Sequence, residues 1–270
     1  MTSPLIVEHV DGVATVTMNR PDSLNSLNVE LKEALRTAFA SLTSDDSVRA
    51  VVLTGAGRAF CVGQDLREHI SSLEAIDAGQ DVGAADPLAT VRKHYNPVAL
   101  LLAEMPKPVV AAVNGMAAGA GAGLAFLADF RIGGPKSGFL MAFANVGLAA
   151  DTATSWTLPR LVGHAKATEL LMLAEPVRSE EAARMGLLTQ LVDDDAKILP
   201  AAQEFAARLA TGPTVAYAQI KRQLRDGSRL TLAEALEVEA DAQTIAGGTE
   251  DHRASVEAFV AKQPMVFTGR

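Results

Sequence analysis

Two segments rich in small residues could stabilise negative charge with backbone N–H groups alone. RAFCVGQDL (58–66) follows the apolar run 48–54, and NGMAAGAG (114–121) follows the apolar run 108–113. The carboxyl ends of strands form the ligand crevice of an α/β sheet, and free N–H groups at a helix start attract negative charge. Two such turns side by side would form an oxyanion hole. Close packing of a helix on a strand is the alternative explanation for the small side chains.

Several common catalytic patterns are missing from the sequence. The 5 histidines include no pair at i, i+4 spacing, and Cys61 is the single cysteine, which argues against a metal site. The Ala/Gly run 118–123 lacks the G-x-G-x-x-G spacing of dinucleotide-binding proteins. No Walker loop or G-x-S-x-G nucleophile turn occurs. These absences weaken the dehydrogenase, kinase, zinc-hydrolase and serine-hydrolase interpretations.

The elements that must position the two turns alternate between strand and helix. Asp11-Gly12 predicts a hairpin over 5–18, and Asn28 is a candidate N-cap for a helix with an apolar stripe. Further strands are predicted at 48–54, 108–113, 130–132 and 187–192. Helices are predicted at 165–174, 179–185, 197–210, 214–225, 231–245 and 250–262. Residues 71–86 have weak periodicity and predict a mobile stretch or a poorly ordered helix.

Composition and charge narrow the class of protein. With 270 residues, 49% of them hydrophobic, the chain can bury a large core. A formal net charge of -8 and a pI of about 5.2 disfavour a nucleic-acid partner. The sequence shows no signal peptide, and the apolar stretch 108–130 is better explained as strand, turn and buried helix than as a membrane span. We therefore expect a cytoplasmic protein, which the single cysteine also favours.

Three motifs together resemble one known family. GRAFCVGQDL, KPVVAAVNGMAAGAGAGLAFLADF and VGLAADTATSWTLPRLVG look like the crotonase superfamily, also called the enoyl-CoA hydratase/isomerase family. The resemblance covers nearly the whole chain. It implies an α/β fold built as a spiral of ββα units with a helical C-terminal region. It also implies an acyl-CoA thioester ligand, an enolate-like intermediate, and a homotrimer or dimer of trimers.

The resemblance assigns roles to particular positions. The oxyanion hole would come from the backbone N–H groups of Gln64 and Ala120, the latter a departure from the usual glycine. Coenzyme A would be part of the substrate, so that no cofactor and no metal are expected. We predict substrate contacts at Arg58, Ala59, Phe60, Gly63, Asp65, Leu66, Gly119, Gly121, Phe143, Trp156 and Lys262.

The carboxylates are where the chain departs most from the family hydratases. Those enzymes use two glutamates, and the matching positions here are Gly123 and Phe143. The acid that remains nearby is Asp151, in a GLAAD string that resembles the dienoyl-CoA isomerase branch and the ring-epoxide isomerases of phenylacetate catabolism. A lone carboxylate can move a proton between two carbons, which a double-bond shift requires. The alternative is that Asp151 caps the following helix.

Other candidates also have structural explanations. Asp65 is a natural N-cap for a helix starting at Leu66, and Phe143 and Trp156 could be core residues as well as acyl contacts. Lys262 could contact coenzyme A from a neighbouring subunit or be a favourable charge at a helix end. Arg58 is a candidate for the coenzyme A phosphates.

The sequence therefore predicts an acyl-CoA isomerase with Asp151 as its proton shuttle. The alternatives are an enoyl-CoA hydratase whose acid comes from Glu68, Asp77 or Asp86, and a non-catalytic acyl-CoA-binding protein. The predicted organisation is a crotonase core with the acyl-CoA site at 1–195 and a helical trimerisation region at 196–270.

Overall fold

The computed structural model describes residues 3–80 and 89–270. Its strands within these ranges, in chain order, are β1 (Leu5–Val10), β2 (Val13–Met18), β3 (Ala50–Gly55), β4 (Ala59–Cys61), β5 (Val109–Val113), β6 (Met116–Ala118), β7 (Phe130–Gly133), β8 (Gly138–Leu140), β9 (Val177–Arg178) and β10 (Gln190–Leu191). Its helices within the same ranges are α1 (Val29–Ser44), α2 (Leu66–Asp77), α3 (Asn96–Glu104), α4 (Ala120–Leu127), α5 (Thr154–Val162), α6 (His164–Leu173), α7 (Ser179–Arg184), α8 (Ile198–Ala210), α9 (Thr214–Gly227), α10 (Leu232–Gly247) and α11 (Glu250–Ala261). The predicted α/β character is confirmed.

A six-stranded sheet in the order β1-β2-β3-β5-β7-β10 forms the centre of the described fold. The β1–β2 pair is antiparallel, whereas β2 through β10 pair in parallel. The predicted hairpin is confirmed, because Asp11 and Gly12 form its turn with positive φ angles of 47° and 79°. The strands predicted around 48–54, 108–113 and 130–132 are β3, β5 and β7.

A second sheet brings together the short strands that sequence patterns did not predict. Its order is β4-β6-β8-β9, with β4, β6 and β8 parallel and β9 antiparallel to β8. Each of β4, β6 and β8 directly follows a strand of the large sheet, namely β3, β5 and β7. The chain therefore repeats a unit of two strands, the first in the large sheet and the second in the small sheet. This repeat brings the ends of β4 and β6 next to each other.

Two apolar clusters cover the faces of the large sheet. The main cluster includes Phe39 and Leu35 of α1, where Asn28 accepts a hydrogen bond from the Leu31 N–H at 3.0 Å and so caps the helix as predicted. A smaller cluster packs α8 against Val52 and Val110 on the other face. The domain boundary expected after residue 195 falls just before α8, whose apolar side covers the sheet.

Only the first part of the segment 71–86, predicted as a mobile stretch or a poorly ordered helix, lies within the described residues. Residues 71–77 continue α2, and Asp65 caps the start of that helix. Residues 81–86 lie outside the part of the chain that the structure describes. Neither in 3–80 nor in 89–270 does a helix combine the length and the apolar composition that a membrane span requires, and most of the stretch 108–130 forms β5, β6 and α4.

Candidate active site

The two small-residue turns lie against each other. Val62-Gly63-Gln64 connects β4 to α2, and Gly119 connects β6 to α4, while β4 and β6 are neighbours in the small sheet. A Cβ atom added to Gly63 would lie 2.9 Å from the Ala118 carbonyl oxygen and 3.4 Å from the Ala120 nitrogen. Gly63 also has a φ of +86°, so this close approach of the two backbones requires glycine.

The backbone N–H groups of Gln64 and Ala120 donate no hydrogen bond to any residue that the structure describes. On either side of Gln64, the Gly63 carbonyl accepts from the Leu27 N–H at 2.7 Å and the Asp65 N–H donates to the Leu27 carbonyl at 3.2 Å. Ala120 is the first residue of α4, where a helix has unpaired N–H groups. Two unused donors therefore lie on adjoining turns.

A pocket of about 270 Å³ opens at these turns. Seven residues predicted from the sequence line it: Gly63, Gln64, Leu66, Gly119, Ala120, Phe143 and Asp151. Most of the remaining wall is apolar and comprises Val62, Ala142, Val146 and Leu148, together with His69. The wall could therefore accept an apolar group beside the unused N–H donors.

Asp151 is the one acidic residue among the described residues that line this pocket. Its Oδ1 accepts a hydrogen bond from the Thr152 hydroxyl at 2.9 Å. Burial raises the pKa of Asp151, while the Thr152 hydrogen bond and the Lys32 ammonium lower it by less. A raised pKa favours a carboxyl group that both accepts and returns a proton near neutral pH.

The helix-cap explanation of Asp151 is wrong. Helix α5 begins at Thr154, its N-cap position is Ala153, and no side chain accepts a hydrogen bond there. Thr152 and Ala153 have left-handed φ angles of 48° and 59°. This tight turn separates the Asp151 side chain from the helix start and leaves the carboxylate at the pocket.

Buried polar side chains on the side away from the pocket bind the side-chain amide oxygen of Gln64. The Tyr95 hydroxyl donates to Gln64 Oε1, and Lys32 Nζ lies 3.3 Å from the same oxygen. Tyr95 ends a π-helical turn, Val91–Tyr95, that runs directly into α3. Lys32 is only 2% exposed. Sequence reasoning missed this support, although Lys32 lies three and seven residues before Leu35 and Phe39 and so shares their buried helix face.

Asp65 is occupied by structural contacts. Its Oδ1 accepts from the backbone N–H groups of Arg67 and Glu68, and its Oδ2 binds Arg20 Nη2 at 2.9 Å and the Ser26 hydroxyl at 3.0 Å. Burial by itself would raise the pKa of Asp65, but these bonds outweigh it and lower the pKa. The structure therefore gives Asp65 the N-cap role rather than a place in the pocket wall.

Other predicted contacts lie away from the pocket. Ala59 and Phe60 are buried within β4, and Gly121 packs so closely on β4 that an added Cβ would meet the Cys61 carbonyl oxygen. Arg58 and Lys262 are exposed. Trp156 lines a different pocket, of about 390 Å³, beside Arg225. Small-residue packing thus explains Gly121, whereas Gly63 and Gly119 border the pocket itself.

Two further polar groups have different environments. Burial raises the pKa of the Cys61 thiol to about 12, so this thiol stays protonated and is a poor nucleophile. His69 lines the pocket, and its Nδ1 is buried without a hydrogen-bond partner among the described residues. The sequence held a signal for His69, because it stands three residues after Leu66 on the same helix.

Comparisons with known proteins agree with this architecture. The sequence model of the enoyl-CoA hydratase/isomerase family matches residues 8–270. The 1,2-epoxyphenylacetyl-CoA isomerase of Escherichia coli (strain K12) is 41% identical over 266 residues, 98% of this chain and 98% of that protein. A Mycobacterium abscessus structure, of a protein provisionally named enoyl-CoA hydratase/isomerase, has a TM-score of 0.91 at 42% identity and covers 98% of this chain and 100% of that one. Enoyl-CoA hydratase from Bacillus anthracis has a TM-score of 0.87 at 26% identity and covers 99% and 100%.

The fold and these matches define an α/β enzyme of the crotonase type, with a helical C-terminal region. The chain belongs to the enoyl-CoA hydratase/isomerase family. The predicted resemblance, fold class and enzyme class are therefore confirmed. Because the relatives are named for both isomerisation and hydration, the reaction has to be inferred from the side chains of this pocket.

Proposed function

We propose that the protein isomerises acyl-CoA thioesters through an enolate, with Asp151 as the proton shuttle. One observation carries the proposal: Asp151 is the only acid among the described residues lining the pocket that the Gln64 and Ala120 N–H groups border. The positions that match the two hydratase glutamates hold Gly123 and Phe143. A shift of a double bond needs one group that takes and returns a proton, and it needs no water.

The proposed steps conserve every atom of the substrate. With a 3-enoyl thioester, the Asp151 carboxylate takes a proton from C2, and the electron pair moves onto the thioester oxygen. The N–H groups of Gln64 and Ala120 stabilise this oxyanion, each by about 3 kcal/mol if it behaves like other preorganised donors. Asp151 then returns the proton to C4, and the double bond moves from C3–C4 to C2–C3. Coenzyme A takes part only as the thiol portion of the substrate.

A ring epoxide is the second substrate class that we consider. The buried Nδ1 of His69, which has no hydrogen-bond partner in the part of the chain that the structure describes, favours it, because an oxygen atom on the acyl group could satisfy this nitrogen. The rest of the wall is largely apolar and would accept the carbon skeleton. The 41% identical relative from Escherichia coli, named for a 1,2-epoxyphenylacetyl-CoA substrate, supports the same choice.

Hydration is the rival reaction. It would need an acid other than the missing glutamates, and Glu68 and Asp77 were the candidates among the described residues. Both Glu68 carboxylate oxygens accept from the Val29 N–H at 3.1 Å, which commits Glu68 to the start of α1. Asp77 ends α2 and is absent from the pocket wall. The third candidate, Asp86, lies outside the described residues.

The test compares products from enoyl-CoA and ring-epoxide thioesters in D₂O by NMR and mass spectrometry. We expect a shifted double bond or a rearranged ring, with deuterium on a carbon of the product. Asp151→Asn should lower turnover at least 100-fold, which is within the usual range for loss of a general acid–base group, while acyl-CoA binding persists. Asp77→Asn is the matched control and should keep full activity. Formation of 3-hydroxyacyl-CoA, or full activity of Asp151→Asn, would overturn the proposal.

We further propose that the chain assembles as a homotrimer or a dimer of trimers. The C-terminal helices expose large apolar side chains, among them Leu224, Leu232 and Phe259, which are 75%, 77% and 73% exposed in the single chain. Light scattering should give a mass three or six times that of the 28.2 kDa chain. A monomeric mass at micromolar concentration would contradict this assembly.

A further inference from the structure

A lysine ammonium lies buried directly behind the candidate oxyanion site. Lys32 is on α1 and is 2% exposed. Its Nζ donates to the Thr90 hydroxyl at 2.8 Å and to Gln64 Oε1 at 3.3 Å, and it lies 5.1 Å from the centre of the Tyr95 ring. None of the ion pairs within 4.0 Å among the described residues includes Lys32. Its hydrogen-bond partners among the described residues are neutral oxygens.

Burying such a charge is costly unless it is compensated. An unpaired buried ammonium loses its hydration, and a methionine of similar length would fill the same space without that loss. Burial lowers the pKa of Lys32, and the carboxylates of Glu68, Asp151 and Asp65 oppose this shift. The ammonium therefore lies where carboxylates from two parts of the fold, the start of α2 and the turn before α5, act on it.

The charged and titratable groups around this ammonium come from several elements. Helix α2 and its cap contribute Glu68 and Asp65, and the turn before α5 contributes Asp151. The π-helical turn contributes Tyr95 and His94; the His94 Nδ1 lies 3.0 Å from the Thr90 hydroxyl. His69 of α2 faces the pocket together with Asp151.

We propose that Lys32, which lies behind the pocket, is a positioning residue. Its ammonium fixes the Gln64 side chain and favours negative charge in the pocket. Together with the Tyr95 hydroxyl, it holds the Gln64 side chain and thereby the peptide whose N–H faces the pocket. Its positive charge favours the ionised form of Asp151 before proton transfer and the enolate afterwards. The inference rests on the proposed isomerase function, since it assigns Lys32 a role in that same site.

The test uses Lys32→Met, with Lys107→Met as the matched control. Lys107 is also buried, at 5% exposure, but it donates to the carbonyl oxygens of Leu42 and Asp45, away from the pocket. We expect Lys32→Met to lower kcat by about tenfold or more and to move the acid limb of the kcat/KM profile to higher pH, because Asp151 loses a charge that favours its ionised form. Lys107→Met should lower thermal stability and leave the pH profile in place.

Two further measurements keep the inference independent of activity and of folding. The pKa of Asp151 can be measured by ¹³C NMR, with Asp151→Asn used to assign the carboxyl signal. This pKa should rise in Lys32→Met, and the measurement does not require turnover of any substrate. Tyr95→Phe removes only the hydroxyl that also holds Gln64, and it should lower kcat while leaving the Asp151 pKa nearer to the wild-type value. An unchanged Asp151 pKa together with kcat within twofold of wild type in Lys32→Met would overturn the inference. An inactive wild-type protein whose Asp151 pKa still responds to Lys32→Met would instead overturn the proposed function.

Discussion

Gly123 lies so close to Thr152 that a Cβ atom added to the glycine would be 2.6 Å from the Thr152 carbonyl oxygen. The same atom would be 2.9 Å from the Thr152 Cβ and from the Thr154 hydroxyl oxygen. The resemblance to the family hydratases assigns the first of their two glutamates to position 123. The turn that carries Asp151 therefore occupies the space next to this position, and the glutamate is not simply missing from an open site.

Restoring a glutamate at position 123 should not restore hydration. We expect Gly123→Ala to destabilise the fold by about 1–3 kcal/mol, the usual cost of overpacking, because Thr152 has to move. Gly123→Glu should be at least as unstable and should form no 3-hydroxyacyl-CoA. Gly247→Ala, which meets no atom within 4 Å, is the matched control and should be neutral in thermal unfolding. Hydratase activity in a stable Gly123→Glu variant would contradict this account.

Elements that depend on residues close together in the sequence could be predicted, whereas elements that depend on contacts between distant residues could not. Asp11-Gly12 and Asn28 act on residues a few positions away, so their turn and cap could be predicted. The strands β4, β6 and β8 have three residues each and no period to detect, and they exist because they pair with one another across the chain. The large-sheet strands β3 (AVVLTG) and β5 (VVAAV), in contrast, are longer and are buried along their whole length.

The candidate site shows the same division. Gln64, Ala120 and Asp151, which the motifs singled out, line one pocket. Lys32 lies outside the three motifs and stands 32 residues before Gln64, and its place behind Gln64 depends on how α1 packs. For Asp65 and Asp151, the choice between a helix cap and a pocket residue depends on the backbone of a single turn. Asp65 caps α2, whereas the left-handed turn at Thr152 and Ala153 keeps Asp151 from capping α5. No sequence pattern distinguishes these two cases.

Asp151 should reduce stability near neutral pH. Since burial raises its pKa in the folded protein, the cost of ionising it is absent below the unfolded pKa of about 3.9 and develops as pH rises through the folded pKa. Asp151→Asn should therefore have a higher Tm than wild type at pH 7.5, and the difference should vanish near pH 3.5. Asp226, whose pKa is lowered by a hydrogen bond from Arg225, is the opposite control, and Asp226→Asn should lower the Tm at pH 7.5. An Asp151→Asn variant less stable than wild type at pH 7.5 would argue against a buried carboxylate.

The contact between the two turns should not tolerate a side chain at Gly63. Gly63→Ala places a Cβ 2.9 Å from the Ala118 carbonyl oxygen and separates the two donor N–H groups. We expect kcat to fall about 100-fold, the size of effect seen when one oxyanion donor is lost. Gly79→Ala shares the positive φ, at +72°, but meets nothing within 4 Å, and it should leave kcat unchanged. Equal effects of the two substitutions would mean that backbone strain alone is responsible.

His69 should separate the two substrate classes. His69→Leu removes a nitrogen that lacks a partner among the described residues, so stability should stay level or rise. Turnover of a ring-epoxide thioester should fall about tenfold, as expected for one lost hydrogen bond, while turnover of a plain enoyl thioester should change little. His164→Leu, on the exposed start of α6, is the control. An equal loss on both substrates would show that His69 does not read an oxygen atom on the acyl group.

The most direct test is a crystal structure with an unreactive acyl-CoA thioester analogue bound. The thioester oxygen should lie about 2.7–3.1 Å from the backbone nitrogens of both Gln64 and Ala120, with Asp151 within hydrogen-bond reach of C2 and C4 of the acyl group. A thioester oxygen bound away from both nitrogens, or no binding of the analogue at all, would contradict the account.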